Sequence, residues 1–573
     1  MMKNSVLLLV VVLSLFIAGS ASAQWSPDSL QNLQICDLTG EQVLPKVSAT
    51  SDGGCFISWF DSRSGQYCLY LQRLNAQGEF QFAADGLLIS DKPQQSWLVD
   101  YDMAVDGNDN AVLVFSDVRH PGGDLDVSAY MIDSDGTFVW GDDGICLSDT
   151  TVPGFEPAPK VTVTPDGNSV FVWGKSDADF FLVFQKISPD GNKLWGEWGI
   201  TKTSAATDLS SPDVVSSGAD SVIVLWKSST GTYPYQTTFL YTQKYDDTGT
   251  EMWSDTDVLI YNSGAVTAWN YPEIIPDGEG GAVYGWYDAP SSSVFNVWVQ
   301  HMDSGGNMLF PMNGAQASTN SSDRLHMSPS VVCGEDQIFV FWTEENGNQN
   351  QYGLYGQSFS PTGNRLWTDN GLELIPLGGE QISFVRTLSQ AGGIYIGYLI
   401  GSLDTAVRTI RTDYSGTVVW GPATLSAASF GGKDDLEICP GNAQSAYFAW
   451  NDNRNGSGIY AQNINIDGSL GPFLGTGDGD SRITSGSMEI LPNPSTGPVS
   501  ISFVTGESGI TTLKLYDISG RLVKTLVSGD LNKGTHTVWW DKTTDSGRIS
   551  SPGVYFARLS TGGTEASTRL ILL

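Results

Sequence analysis

The sequence predicts an all-β chain in which an eight-bladed β-propeller precedes a small β-sandwich. Three observations carry this. An apolar strand ending in an aromatic residue recurs at Trp59, Phe115, Trp173, Trp226, Trp286, Trp342, Tyr398 and Trp450, at separations of 52–60 residues. Each copy holds four strand-like segments divided by glycine-containing turns, without the periodicity of a helix. Beyond residue 487 the long period is gone and short alternating strands take over.

Within a repeat the elements follow in a fixed order. A short first strand and a tight turn come first, as in Pro45–Thr50 before Asp52-Gly53-Gly54, or Val161–Thr164 before Asp166-Gly167-Asn168. The strand ending in the aromatic is second. The third carries an aromatic-x-Gln pattern at Tyr70/Gln72, Tyr241/Gln243, Trp298/Gln300, Tyr355/Gln357 and Tyr460/Gln462, and period-two geometry puts both side chains on one face. Next comes a turn in which a glycine is followed four residues later by an aromatic: Gly78/Phe82, Gly136/Trp140, Gly191/Trp195, Gly249/Trp253, Gly306/Phe310, Gly363/Trp367 and Gly416/Trp420. A fourth strand such as Leu87–Ser90 or Ile145–Ser148 completes the unit. One four-stranded sheet cannot cover both of its faces. Arranged radially, such sheets bury each face against a neighbour.

The ends of the array bear on its closure. The eighth repeat has Gly468 but Pro472 where the aromatic belongs, and no fourth strand follows. Trp25 and Leu33-Gln34-Ile35-Cys36 resemble the missing piece, being similar to Trp140 and Ile145-Cys146. An N-terminal strand completing the last blade removes two unpaired edges. Eight blades over residues 24–474 are therefore expected, with seven blades and one divergent segment as the alternative.

Residues 1–23 read as a signal peptide: Lys3, the apolar run Val6–Ala18, then Ala21-Ser22-Ala23 as a small-x-small cleavage site. That run is too short for a bilayer, so no integral membrane segment is expected after cleavage. The chain has 63 acidic against 29 basic residues, a net charge of −34, which repels phosphate and anionic lipid and argues against nucleic-acid binding. Its six cysteines lack the spacing of a disulfide framework. Cys55 and Cys68, on neighbouring predicted strands, form the one pair close enough in sequence to test.

After a Gly/Asp/Ser linker at 475–487, residues 488–573 form a separate β-sandwich with recognisable motifs. These are Pro492-Asn493-Pro494, Tyr516-Asp517-x-x-Gly520-Arg521, Gly534 through Trp540-Asp541, Gly553-Val554-Tyr555-Phe556 and a terminal apolar strand. The segment resembles the C-terminal sorting domain of the type IX secretion system, itself similar to the immunoglobulin-like domain of the flagellar hook-capping protein. The resemblance implies an immunoglobulin-like fold, engagement of the secretion machinery, and passage through the periplasm across the outer membrane to the cell surface or medium. One departure is Thr568-Arg569 where the family commonly has lysine. The propeller repeats resemble, more loosely, those of large secreted bacterial proteins carrying such domains.

Signals for chemistry are sparse. Three repeats open the loop between second and third strands with an acid and a base: Asp61/Arg63, Asp117/Arg119 and Asp452/Arg454. In a closed ring these loops are consecutive and form one arc, with Asp288 and Glu344 as partial copies. Such an arc is able to hold a carboxylate or sugar hydroxyls through arginine; the alternative is that each Asp pairs with its own Arg and fixes the hairpin. The four histidines are scattered, and no metalloprotease, nucleophile-elbow or phosphate-loop motif occurs. No cofactor is expected; Asp106-Gly107-Asn108-Asp109-Asn110 and Asp478-Gly479-Asp480 offer oxygens to calcium, but without the full spacing of a calcium loop. The expectation is a secreted or surface-displayed binding or adhesion module for a protein or glycan ligand. The alternatives are a glycosidase-like enzyme with carboxylates at the propeller mouth and a structural envelope component.

Overall fold

The computed structural model describes residues 24–472 and 488–572, apart from 95–99, 121–124, 149–153, 177–179, 233–235, 255, 264–265, 321–323, 403–404, 427–430, 492–494, 496–498, 506–507, 519, 541, 546–547 and 562–563. The signal peptide expected at 1–23, the linker expected at 475–487, Asp478-Gly479-Asp480 and Pro492-Asn493-Pro494 lie outside the described residues. The chain divides into two compact units, Met1–Pro472 and Phe473–Leu573. All regular structure among the described residues is β.

In the first unit, six antiparallel sheets have four strands each, and one has eight. The eight-stranded sheet is two sequence repeats joined at a single parallel bridge between Phe295 and Leu325. The first repeat shows the common order: Gln42–Ala49, Cys55–Asp61, Tyr67–Leu74 and Leu87–Gln94 lie side by side. Its second strand is buried along its whole length, and the two-residue period divides it. Cys55, Ile57 and Trp59 join a cluster with Cys439, Tyr447 and Ala449 of the eighth repeat, while Phe56 and Phe60 join Tyr101, Leu113 and Phe115 of the second. Each sheet is thus one wall of two cores. The first strands of successive repeats touch in order, and that of the eighth, Lys433–Pro440, touches that of the first.

The repeated motifs explain how neighbouring sheets are tied. Gln72 is fully buried; its side-chain amide donates to Ala83 O at 2.9 Å, and its Oε1 accepts from Phe82 N at 3.1 Å. Gln185, Gln243, Gln300 and Gln357 make the same two bonds, lacing the third strand to the turn before the fourth. The turn glycine packs on the aromatic of the preceding repeat, as Gly306 does on Trp253 and Gly468 on Trp420. The indole N–H then donates into the next repeat: Trp140 to Pro189 O, Trp195 to Asp247 O, Trp253 to Ser304 O and Trp420 to Ile466 O, at 2.8–3.0 Å.

The N-terminal segment takes these same roles for the eighth repeat. Leu33–Cys36 pairs antiparallel with Gly458–Asn465. Trp25 donates to Ala76 O of the first repeat at 3.2 Å and stacks on Tyr447 at 4.9 Å. Gly78 rests on Trp25 with φ +82°; a Cβ there would come within 2.9 Å of the indole, so only glycine fits. Tyr447 Oη donates to Gly53 O at 2.6 Å, and Asn451 Nδ2 to Gln42 O at 2.7 Å, joining eighth repeat to first.

The suggested Cys55–Cys68 pair is corrected by register. Cys55 lies opposite Leu74 and Cys68 opposite Asp61, so the two thiols sit at opposite ends of one hairpin.

The second unit has a three-stranded sheet, Met488–Leu491, Val499–Thr505 and Gly534–Trp540, and a four-stranded sheet of Leu522–Leu531, Gly509–Asp517, Gly553–Thr561 and Thr564–Leu572. One cluster including Ile501, Phe503, Leu513, Leu515, Trp540, Tyr555 and Leu570 draws on both sheets. The sorting motifs are turn and anchor residues. Asp517 accepts from Arg521 N and Arg521 Nε, both at 3.0 Å, around Gly520 at φ +80°. Tyr516 is on the strand leading into that turn, paired with Phe556. Gly553 opens the next strand, and Tyr555 donates to Ser551 O at 2.6 Å while its ring meets Trp540 edge-on at 5.6 Å.

Candidate functional site

The three Asp/Arg pairs are spent within the protein. Asp61, Asp117 and Asp452 are completely buried, and each is bonded to its own arginine. Arg63 Nη2 lies 2.5 Å from Asp61 Oδ2 and 3.0 Å from Asp85 O, with its guanidinium 4.1 Å from the Tyr70 ring centroid. Arg119 grips Asp117 with two bonds, at 2.8 and 2.6 Å, and donates to Asp143 O. Arg454 bonds Asp452 at 2.6 Å and reaches Asn32 Oδ1 and Ser426 Oγ, while Lys433 approaches Asp452 at 3.1 Å. Burial disfavours each carboxylate, but hydrogen bonds from Arg63 and Arg454 outweigh it and hold Asp61 and Asp452 below the usual range. At Asp117 burial wins, and its pKa is raised. The partial copies are likewise engaged: Asp288 accepts from Tyr261 and Asn296, and Glu344 from Asn320.

In the calcium candidate that is described, Asp106 Oδ1 accepts from Asn108 N and Asn110 N, and Asp109 accepts from Ser51 of the preceding repeat. Those acids cap turns. Among the described residues no group of three or more His, Cys, Asp or Glu is placed to hold a metal ion.

A different set of side chains comes together where the first strands meet. Lys46 pairs with Ser58, Asp102 with Val114, Lys160 with Val172, Asp213 with Leu225, Glu273 with Gly285, Ser330 with Phe341, Arg386 with Gly397 and Glu437 with Ala449. Every one of those partners immediately precedes the aromatic of its repeat. These eight residues hold one equivalent position, and all but Ser330 are ionisable. Two residues earlier the chain kinks into the left-handed region at Leu44, Ala158, Ser211, Ser328, Phe384 and Asp435, with φ between +47° and +54°.

Seven of the eight, together with Asp100, line one cavity of about 1430 Å³. One side of it carries an ion-pair network. Lys46 Nζ lies 3.2 Å from Asp100 and 3.8 Å from Glu437, Lys160 Nζ 3.6 Å from Asp100, and Arg386 Nε 3.5 Å from Glu437. Burial opposes the Asp100 carboxylate, yet Lys46 and Lys160 prevail and lower its pKa to about 2. Asp213 and Glu273 stand apart from that network: neither forms an ion pair among the described residues. Glu273 accepts from Val331 N at 2.9 Å, and Asp213 from Val214 N at 2.8 Å. Burial raises Asp213 to about 6 and Glu273 to about 7, against the weaker pull of Lys160 on the first and of Val331 N–H and Arg386 on the second.

The same cavity has an apolar wall. Phe155 and Phe180 are each 49% exposed and Tyr271 is 74% exposed, unusual values for aromatic side chains lining a cavity. Lys227 Nζ lies 5.1 Å from the Tyr271 ring centroid, held by Ala268 O at 2.9 Å and Asn270 O at 3.1 Å. Burial lowers the Lys227 pKa to about 8. Ionisable groups beside an open aromatic face suit a ligand with hydroxyls on its edges and C–H groups on its faces.

These carboxyls make stability depend on pH. Folded Asp213 and Glu273 retain protons that the unfolded chain releases near its ordinary carboxyl pKa, so their stabilising contribution is complete at low pH and is lost as pH rises through 6–7. The urea midpoint of residues 24–472 is expected to fall between about pH 4 and 7, and Asp213→Asn with Glu273→Gln to flatten that fall.

Comparison with known proteins identifies the second unit. Its two sheets and turn motifs define a C-terminal module of the kind that directs export. Residues 489–573 match the family described as the secretion system C-terminal sorting domain. The protein therefore carries a type IX sorting domain, which engages the secretion machinery, and is exported to the cell surface or extracellular space. No helix among the described residues is long and apolar enough to cross a membrane. Deleting residues 488–573 is expected to leave the remainder in the periplasm on fractionation and immunoblotting; normal secretion of the truncated chain would contradict the assignment.

No curated protein matches the chain. Among solved structures, a polysaccharide lyase of family PL25, an ulvan lyase bound to a GlcA(1-4)Rha3S unit, is 9% identical, with 69% of this chain and 97% of that one covered at a TM-score of 0.43. PorZ, a bacterial surface component of the type IX secretion system of Porphyromonas gingivalis, is 12% identical, covering 92% of this chain and 70% of its own at 0.34. An α-L-arabinanase of Penicillium chrysogenum complexed with arabinobiose is 12% identical, covering 55% and 94% at 0.32. Likeness at this level assigns no activity to the chain.

Proposed function

We propose that residues 24–472 form an eight-bladed β-propeller, closed by Leu33–Cys36, that binds an oligosaccharide in its central cavity at the cell surface. The observation that carries this is the equivalent residue of seven first strands lining one space, with Phe155, Phe180 and Tyr271 open to it. Sugar C–H faces stack on the aromatics, and hydroxyls bond to Lys46, Lys160, Asp213, Glu273, Arg386 and Glu437. Asp61/Arg63, Asp117/Arg119 and Asp452/Arg454 brace the hairpins and the closure seam. Binding of the secreted protein to a panel of neutral, basic and acidic oligosaccharides, followed by calorimetry, tests this. Saturable binding of one class is expected; failure of every class would overturn it.

A second reading is a carbohydrate-active enzyme. It is favoured by the position of Asp213 and Glu273 on adjacent repeats, outside every ion pair among the described residues and with pKa values near those of working acids and bases. Turnover of a bound polysaccharide, abolished by Glu273→Gln without loss of binding, would establish this reading over simple binding.

A further inference from the structure

The seam between first and eighth repeats contains three cysteines, Cys36, Cys55 and Cys439, in one buried cluster with Trp25, Ile57 and Tyr447. Cys36 is engaged: its thiol donates to Asp61 Oδ2 at 3.6 Å and accepts from Arg63 Nη2 at 3.0 Å. Cys55, at the start of the second strand of the first repeat, and Cys439, on the first strand of the eighth, share that cluster, and the Cys55 thiol bears directly on that of Cys439. They come from opposite ends of the repeat array, and both are fully or nearly fully buried.

The sorting domain marks this chain for export, out of the reducing cytoplasm to surroundings where protein disulfides persist. We propose that Cys55 and Cys439 form a disulfide in the exported protein, joining the first repeat covalently to the eighth. One thiolate attacks the disulfide of a periplasmic dithiol oxidant, giving a mixed disulfide and releasing one thiol of the oxidant. The second thiolate then displaces the other. Two S–H bonds are lost and one S–S bond forms; the two electrons and two protons end on the oxidant, now a dithiol. Burial in the closed seam holds the Cys439 thiol well above its usual pKa, so the reactive thiolate is available chiefly before the seam closes. Oxidation therefore accompanies folding after export.

The link acts at the one place where ring closure depends on chain ends. Reducing it is expected to lower the Tm of the secreted protein by roughly 5 °C or more, because the bridge closes a very long loop. The test is peptide mapping by mass spectrometry of the secreted full-length protein, alkylated in denaturant without reductant. The expected result is one cross-linked peptide pair holding Cys55 and Cys439, together with a reductant-sensitive Tm. In Cys439→Ser the pair is missing and the Tm no longer responds to reductant. Complete alkylation of all six cysteines in the wild-type protein, or linkage of Cys55 to any other cysteine, would overturn the proposal. The wild-type map decides the question even where a variant fails to fold.

Discussion

Replacing Trp25 by alanine is expected to lower the stability of the repeat unit by about 3–5 kcal/mol, the range for truncating a buried tryptophan. The indole is 2% exposed, stacks on Tyr447, donates to Ala76 O and supports Gly78. It therefore joins the eighth repeat to the first through three distinct contacts. Loss of the ring leaves a void in a core that cannot collapse, because strands on both sides are fixed by their own ladders. Chemical denaturation checks this. A shift below about 1 kcal/mol would show that the N-terminal segment is an accessory to the repeat unit and not part of its core. Gly78→Val is expected to act in the same direction, since it combines an unfavourable backbone with a clash against that indole.

Tyr271→Ala is expected to weaken oligosaccharide binding by about 10–100-fold, ~1.4–2.8 kcal/mol, and to leave the unfolding midpoint nearly unchanged. Exposed as it is, the ring contributes little to the core. Its value lies in the cavity, where it presents a face braced by Lys227. Phe180→Ala is expected to weaken binding in the same way. Arg63→Ala and Arg119→Ala are expected to do the reverse, costing stability because each strands a buried aspartate while affinity stays close to wild type. Calorimetry and denaturation on the same four variants separate the two behaviours. Loss of affinity in the arginine variants with intact stability would move the site back to the Asp/Arg loops.

The repeat architecture was legible because its requirements recur. A glycine has to lie over the neighbour's aromatic, a buried glutamine has to bridge the third strand and the following turn, and the same letters return each time. The pairing of the N-terminal strand with the eighth repeat was legible from the missing aromatic at Pro472 and the surplus Trp25. The cavity was not. Its equivalent position is filled by Lys46, Asp102, Lys160, Asp213, Glu273, Ser330, Arg386 and Glu437, so charge sign and residue type vary from repeat to repeat. The position lies 12 or 13 residues before each aromatic, and in five repeats it follows a proline, Pro45, Pro159, Pro212, Pro272 or Pro329. A search by position, indifferent to residue identity, would have found it. Phe155 and Tyr271 lie in connections between repeats, where period is lost. The Asp/Arg pairs stood out because they repeat, and in all three the buried aspartate is bonded to its own arginine.

The most direct test of the central claim is a crystal structure of residues 24–472 with the oligosaccharide that binds most tightly. Sugar is expected in the cavity among the first strands, one ring face against Tyr271 or Phe180 and hydroxyls within hydrogen-bond distance of Asp213, Glu273 or Lys160. Sugar bound at the Asp61, Asp117 and Asp452 loops, with the cavity filled by water alone, would contradict it.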